Sequence, residues 1–322
     1  MNKGIFGAVV GVVIVAVVAV GAYFLFFAGG PGGTGGGAGL PAGMTAKQAA
    51  DSITASANKS GRSMAYGSAE TNNGALVMKD VTIVVPNSKD KIKIGELRFN
   101  KYDYKNPDLP AFADIEYRNI SLGPLLTTPQ AKQFMQMAGV DDIVANIRAV
   151  YTYDATNKVL DVTNVTINAD KLATIKMAMK LGGIDLAKLQ EAQKGGNANP
   201  AAMLPMLQSL QIYGITFSIT DDGVREAILK SAAKQQNSDV DKIKAMALAL
   251  LAGVKQQPQS KSAIAQEGIT AAEAFIKDGG TIELKIAPDA AVAVMSLAPT
   301  FMGGPTPEKI DALKKQLNMS IT

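Results

Sequence analysis

From Ile5 to Ala28 the chain runs for 24 residues without a charge, and Lys3 is the only charged side chain before Lys47. At about 1.5 Å per helical residue such a run reaches roughly 36 Å, enough to cross a hydrocarbon core of about 30 Å with some tilt. A cleaved signal peptide is the rival reading, because Val20-Gly21-Ala22 loosely fits the small-residue cleavage pattern. The apolar run continues past that point through Tyr23, Phe24, Leu25, Phe26 and Phe27. It therefore exceeds the roughly 7–15 residues of a secretory core. The expectation is an uncleaved transmembrane signal anchor over residues 1–28, with residues 5–28 as the membrane contact. Lys3 and the terminal amine favour a cytoplasmic N-terminus, which puts the bulk of the chain across the membrane.

Residues 29–43 hold nine glycines together with Pro31 and Pro41. That composition cannot bury a core and reads as a flexible tether. Gly30 to Gly35 formally satisfies the G-x-G-x-x-G pattern, but no strand precedes it and no helix follows, so it carries no nucleotide site. Residues 44–322 have the composition of a folded domain.

The missing residue types narrow the chemistry. The chain has no His, Cys or Trp, which excludes Ser-His-Asp and Cys-His nucleophiles, thiol redox and the usual zinc sites. A net charge of +4 is too small and too mixed to argue for nucleic acid. No cofactor is expected.

Alternation of apolar and polar side chains predicts strands over Ala75–Val85, Lys91–Tyr104 with a bulge near Gly95, Ala111–Leu122, Val150–Asp154, Val159–Asn168, Leu210–Thr220 and Gly280–Ala287. Leu172–Leu181 is apolar at Ala173, Ile175, Met177, Met179 and Leu181 and polar at Thr174, Lys176 and Lys180. That period of two predicts a strand, although Ala, Met and Lys also favour helix. Helices are predicted over Thr45–Ala57, Thr128–Ala138, Leu186–Gln193, Asp221–Gln236, Ser238–Gly253, Ala263–Lys277 and from Thr306 onward, with a last strand over Leu317–Thr322. Asp80–Val84, Asn164–Asn168 and Gly214–Ser218 look alike, so a sheet built twice or a diverged duplicated αβ unit is one reading and chance β composition the other. The fold class is α+β: an antiparallel sheet packed by helices concentrated in the C-terminal half.

Several constellations invite a site. Ser231-Ala232-Ala233-Lys234 matches the S-x-x-K pattern of acyl-serine enzymes but lacks its S-D-N and K-T-G companions. Asp141-Asp142, Asp221-Asp222 and Asp239 with Asp241 are each read as preceding a helix, where capping is their expected role rather than metal binding. Tyr102-Asp103-Tyr104 and Tyr151-Thr152-Tyr153-Asp154 put paired aromatics beside an acid, as a carbohydrate or polar-ligand platform would, but strand packing is the simpler reading. Methionine is abundant, at 14 residues. Core filling is the default reading; a Met-rich sheet face under loose helical cover would instead form an apolar groove, for which Ile175, Met177, Met179 and Leu181 are the candidate lining residues. No catalytic, cofactor-binding or metal-binding residue is assigned.

The stretch from Ile215 to Gly223, the Ala-rich helix over Ala271–Lys277 and the Gly-Gly-Thr-Ile-Glu-Leu strand that runs to Pro288 form one layout. Behind a single N-terminal anchor, this layout resembles the YdgA-like bacterial envelope proteins of unknown function, in the wider AsmA-like neighbourhood. The likeness spans about Leu210 to Thr322, and the glycine tether departs from it. It brings no catalytic motif. It implies a bacterial inner-membrane protein with its bulk on the periplasmic side. Two functions stay open: an anchored binding or scaffold protein that holds an apolar or lipid-like ligand, and a hydrolase using Ser231 and Lys234.

Overall fold

The computed structural model describes residues 39–59, 63–84, 91–108, 110–123, 135, 142–186, 208–301 and 306–322. The expected membrane segment 5–28 lies outside them. So do most of the helices expected over 128–138 and 186–193, although Met135 is helical and buried. Among the described residues no helix is long and apolar enough to cross a membrane.

The strands form one antiparallel sheet: β1 (Ser63–Ala65), β2 (Ser68–Asn72), β3 (Ala75–Val84), β4 (Lys91–Tyr102), β5 (Phe112–Ser121), β6 (Val144–Asp154), β7 (Val159–Ala169), β8 (Ala173–Gly182), β9 (Gln211–Asp221), β10 (Thr281–Ile286), β11 (Val292–Ala293) and β12 (Met319–Ile321). From β3 to β10 every strand pairs with its neighbour in sequence. Both outer edges are split. On β3, β2 covers the first half and β1 the second; on β9, β10 pairs over Ile215–Thr220 and β11 over Gln211–Ile212. At the far end the three-residue β12 lines β10. The three look-alike stretches fall on β3, β7 and β9 of this one continuous sheet.

Strand alternation builds the core. Because directly paired residues share a face, one apolar row can be followed strand by strand: Leu76, Phe99, Ile115, Ala149, Val165, Met177, Phe217 and Leu284, ending at Ile321. The period-two reading of Leu172–Leu181 holds in β8, where burial of the apolar side and cross-strand pairing outweigh the helical preference of Ala, Met and Lys. The register runs unbroken past Gly95, and the irregularity in β4 falls instead at Asn100, between Phe99 and Lys101. At Gly95 it is the neighbours on both sides, Asp80 and Asn119, that take left-handed conformations. A Cβ on Gly95 would come within 3.1 Å of the Asn119 side chain, so glycine supplies the room that Asn119 uses.

Helices close the two ends of the apolar face. The helix α1 (Ala46–Lys59) brings Ala49, Ala50 and Ile53 onto Leu76 and Met78. Packing begins before it, within the glycine-rich stretch, at Leu40. Between β9 and β10 the chain makes α2 (Val224–Gln235), α3 (Val240–Lys255) and α4 (Ala263–Asp278), and α5 (Pro307–Leu317) precedes β12. Helix α4 crosses the sheet end so closely that a Cβ on Gly268 would touch Ile321 Cδ1.

Cap chemistry explains several boundaries. The Asp239 carboxylate accepts from Lys242 N, and Thr306 precedes Pro307 at the first position of α5. Asp221 accepts from the backbone N–H of Gly223 and Arg225, satisfying donors at the start of α2. Asp142 departs from the expectation: it precedes β6, not a helix, and takes Ser121 Oγ at 2.5 Å and Gly123 N at 2.6 Å, tying the end of β5 to the start of β6. The apolar residues of α3 divide between its two sides. Ile243 is buried and Ala247 and Leu251 half-buried, while Met246 and Leu250 face outward.

Candidate functional site

The apolar face of the sheet is where the sequence-predicted residues meet. Ile175, Met177, Met179 and Leu181 lie on one side of β8, opposite Ile167, Val165, Val162 and Leu160 of β7 and Ile219, Phe217, Ile215 and Ile212 of β9. Ile175 is buried, and the other three are half-buried against the main core. Burial falls along the sheet: the apolar side chains of β3 to β5 are almost fully covered, whereas those of β9 and β10 on this face are all half-buried. Sequence reasoning found β8 but missed that β9 and β10 continue the same half-covered surface. Register carries that information, and alternation within one strand does not.

At one end of this face four tyrosines gather. Tyr102 packs edge-on against Phe99 at 5.0 Å and Tyr104 at 5.2 Å between centroids. Tyr102 Oη donates to Pro107 O at 3.0 Å, Tyr151 Oη to Pro110 O at 3.2 Å and Tyr153 Oη to Ile184 O at 2.8 Å. The Tyr104 hydroxyl is buried with no partner, and burial pushes its phenol well above the usual tyrosine range. The acids beside the tyrosines shape turns. Buried Asp103 accepts from Asn106 Nδ2 and Ala111 N. Asp154 accepts from the N–H groups of Thr156 and Asn157, whose backbone bonds hold its carboxyl below the usual range.

The reverse face carries charge. Arg118 bonds Glu116 at 2.5 Å and Glu96 at 3.1 Å, Asn100 donates to Glu116 at 2.8 Å, and Arg148 makes a two-point contact with Asp114 at 3.1 and 2.9 Å. Burial pushes Glu116 upward, but the bonds from Asn100 and Arg118 and the nearby Arg148 charge outweigh it and hold the carboxyl below the ordinary glutamate value. Arg118–Glu96 and Arg148–Asp114 join neighbouring strands, while Arg118–Glu116 runs along β5, which together make the network a brace.

The Ser-x-x-Lys pair sits elsewhere, on α2. Ser231 is buried and Lys234 is exposed, and no hydrogen bond joins them. A hollow of about 330 Å³ between α4 and α5 is lined by Ala263, Asp311, Lys314, Lys315, Asn318 and Met319. Three of its polar side chains are already engaged: Asp311 caps the Ala263 N–H at 2.7 Å, Lys314 pairs with Glu267 at 2.5 Å, and Asn318 Nδ2 donates to Ala287 O at 3.1 Å. Among the described residues no three acidic side chains stand together as metal ligands would.

A family model whose description reads "Uncharacterized protein" matches residues 166–322, from within β7 to the end of the chain. No curated protein matches the chain.

Proposed function

We propose that this chain is a membrane-anchored, extracytoplasmic binding protein of the bacterial envelope, and that the half-covered part of its sheet face holds an acyl chain or a similar apolar ligand. One observation carries the reading. A single apolar face runs in register from β3 to β12, and over β8, β9 and β10 its Met, Phe, Ile and Leu side chains are only half-buried. A surface of that composition, free of buried polar groups along Met177, Met179, Ile215 and Phe217, suits a flexible hydrocarbon partner, and thioethers adapt to varied shapes. The uncharged run over residues 5–28 supports anchoring. The resemblance to YdgA-like envelope proteins supports the periplasmic side, and it falls inside the matched stretch 166–322.

The test uses the full-length protein extracted in a mild non-ionic detergent. Lipid extraction with mass spectrometry should recover an acyl-chain lipid in near-stoichiometric amount, and a fluorescent long-chain fatty acid should bind in competition with it. Met179→Lys should weaken that binding at least about tenfold while Met246→Lys, off the face, leaves it unchanged. A lipid-free protein that does not bind the fluorescent probe overturns the ligand assignment. Failure of external protease to reach the body in spheroplasts overturns its location.

A further inference from the structure

Two exposed asparagines stand in left-handed turns with a small residue after them. Asn73 (φ 50°) precedes Gly74 (φ 80°) between β2 and β3, and Asn237 (φ 48°) precedes Ser238 between α2 and α3. Asn-Gly occurs once in the chain, here, where a two-residue I′ turn needs positive φ at both of its positions. Backbone bonding separates the two sites. The Ser238 N–H donates to Ala233 O at 2.9 Å, whereas the Gly74 N–H and the Asn73 side-chain amide make no hydrogen bond among the described residues. No atom lies within 4 Å of a Cβ built on Gly74, so the space around that residue is open.

We propose that Asn73 is a site of spontaneous deamidation, which folding leaves reactive while it protects Asn237. The Gly74 nitrogen loses its proton to hydroxide and attacks Cγ of Asn73. A Cγ–N bond forms, the Cγ–Nδ2 bond breaks and ammonia leaves, giving a cyclic imide. Water then opens the ring: at Cγ it yields aspartate, and at the main-chain carbonyl it yields isoaspartate. Closing the ring needs the Asn73 backbone to rotate out of its turn. The turn hangs on β2, a five-residue border strand with mostly exposed side chains, which can open without global unfolding. At Asn237 the same attack must first break the Ser238 bond to Ala233 O. Either product places a carboxylate where a neutral amide stood. Isoaspartate also adds a carbon to the main chain within a tight turn. That loosens β2 from β3 and Gly74 from Gly39, where a Cβ would lie 2.8 Å from Gly74 O.

The test incubates the full-length protein, in mild detergent, in heavy-oxygen water at neutral and at mildly alkaline pH, and reads each site by peptide mass spectrometry. Asn73 should take up one solvent oxygen and become a mixture of aspartate and isoaspartate, at a rate that rises with hydroxide concentration. The same incubation in denaturant gives each site its unfolded rate, so every site serves as its own reference. Folding should slow Asn237 at least about tenfold, because a backbone bond has to break first, and slow Asn73 by no more than about threefold. In denaturant, where the fold plays no part, G74A should slow Asn73 and leave Asn237 at its parent rate, because a β-carbon shields the attacking nitrogen. Folding that slows Asn73 as much as Asn237 overturns the proposal and makes the turn a protection. Aspartate formed without isoaspartate also overturns it, since the cyclic route yields both.

Discussion

The two halves of the sheet share one apolar face but differ in how it is covered. Over β3, β4 and β5, Leu76, Met78, Leu97, Phe99 and Ile115 are sealed, and the reverse face is braced by the Glu96, Arg118, Glu116, Asn100, Asp114 and Arg148 network. Over β8, β9 and β10 the same alternation leaves the face half-open, and the reverse side carries Thr174, Lys176, Ser218, Thr220 and Lys285 with a few hydroxyl contacts such as Thr220 to Thr281. Alternation therefore selects which side chains share a face, and cover alone decides whether that face becomes core. The first half is built for stability, and the second has apolar surface to spare.

Substitutions at equivalent positions give the largest test. Phe99→Ala, at a site with no exposure, should cost about 3–5 kcal/mol in chemical denaturation. Phe217→Ala on the half-covered side should cost about half that or less, because fewer contacts and less buried area are lost. Equal losses would break the comparison. A paired test within the tyrosine cluster follows. Tyr153→Phe removes a buried bond to Ile184 O and should destabilise by about 1 kcal/mol, whereas Tyr104→Phe removes a hydroxyl with no partner and should be neutral or stabilising by a similar amount.

A smaller effect belongs to the sheet end. Glu267 accepts from Lys314 Nζ and from Ile321 N, joining α4, α5 and β12. With both side chains partly exposed, Glu267→Gln should cost about 1 kcal/mol or less and show mainly as faster amide exchange in β12, with β4 unaffected. The smallest effect is acid sensitivity. The folded state holds Glu116 below its unfolded value, so its contribution is fully present above the ordinary glutamate range and is lost as pH falls through the lowered value. Thermal midpoints taken from neutral to about pH 3 should therefore fall less in Glu116→Gln than in the parent chain.

Much of this was legible in the residues. Period-two patterns located most of the long strands within a few positions, including β8, where propensity pointed the other way, but reached only the second half of β6, whose first six residues from Val144 were missed. Asp239 and Thr306 marked helix starts because side-chain caps act locally. The short strands β1, β2 and β11 left no such trace: a two- to five-residue segment has too few positions to alternate, and its pairing is set by distant β3 and β9. The role of Asp142 was hidden for the same reason, since its partners Ser121 and Gly123 lie across a strand connection. For the candidate site, four lining residues could be read along β8. Their partners on β9 and β10 depend on register, and the outward turn of Met246 and Leu250 depends on which side of α3 its neighbours occupy.

The split and shortened borders of the sheet have a consequence for how the protein survives at high concentration. A long flat margin would offer free backbone groups to another molecule and seed fibres. Here one margin is divided between β1 and β2 on either side of left-handed Asp80, and the other ends in a three-residue β12 pinned by Glu267. Neither presents a straight template, so a chain with ten strands laid side by side keeps its hydrogen bonding to itself.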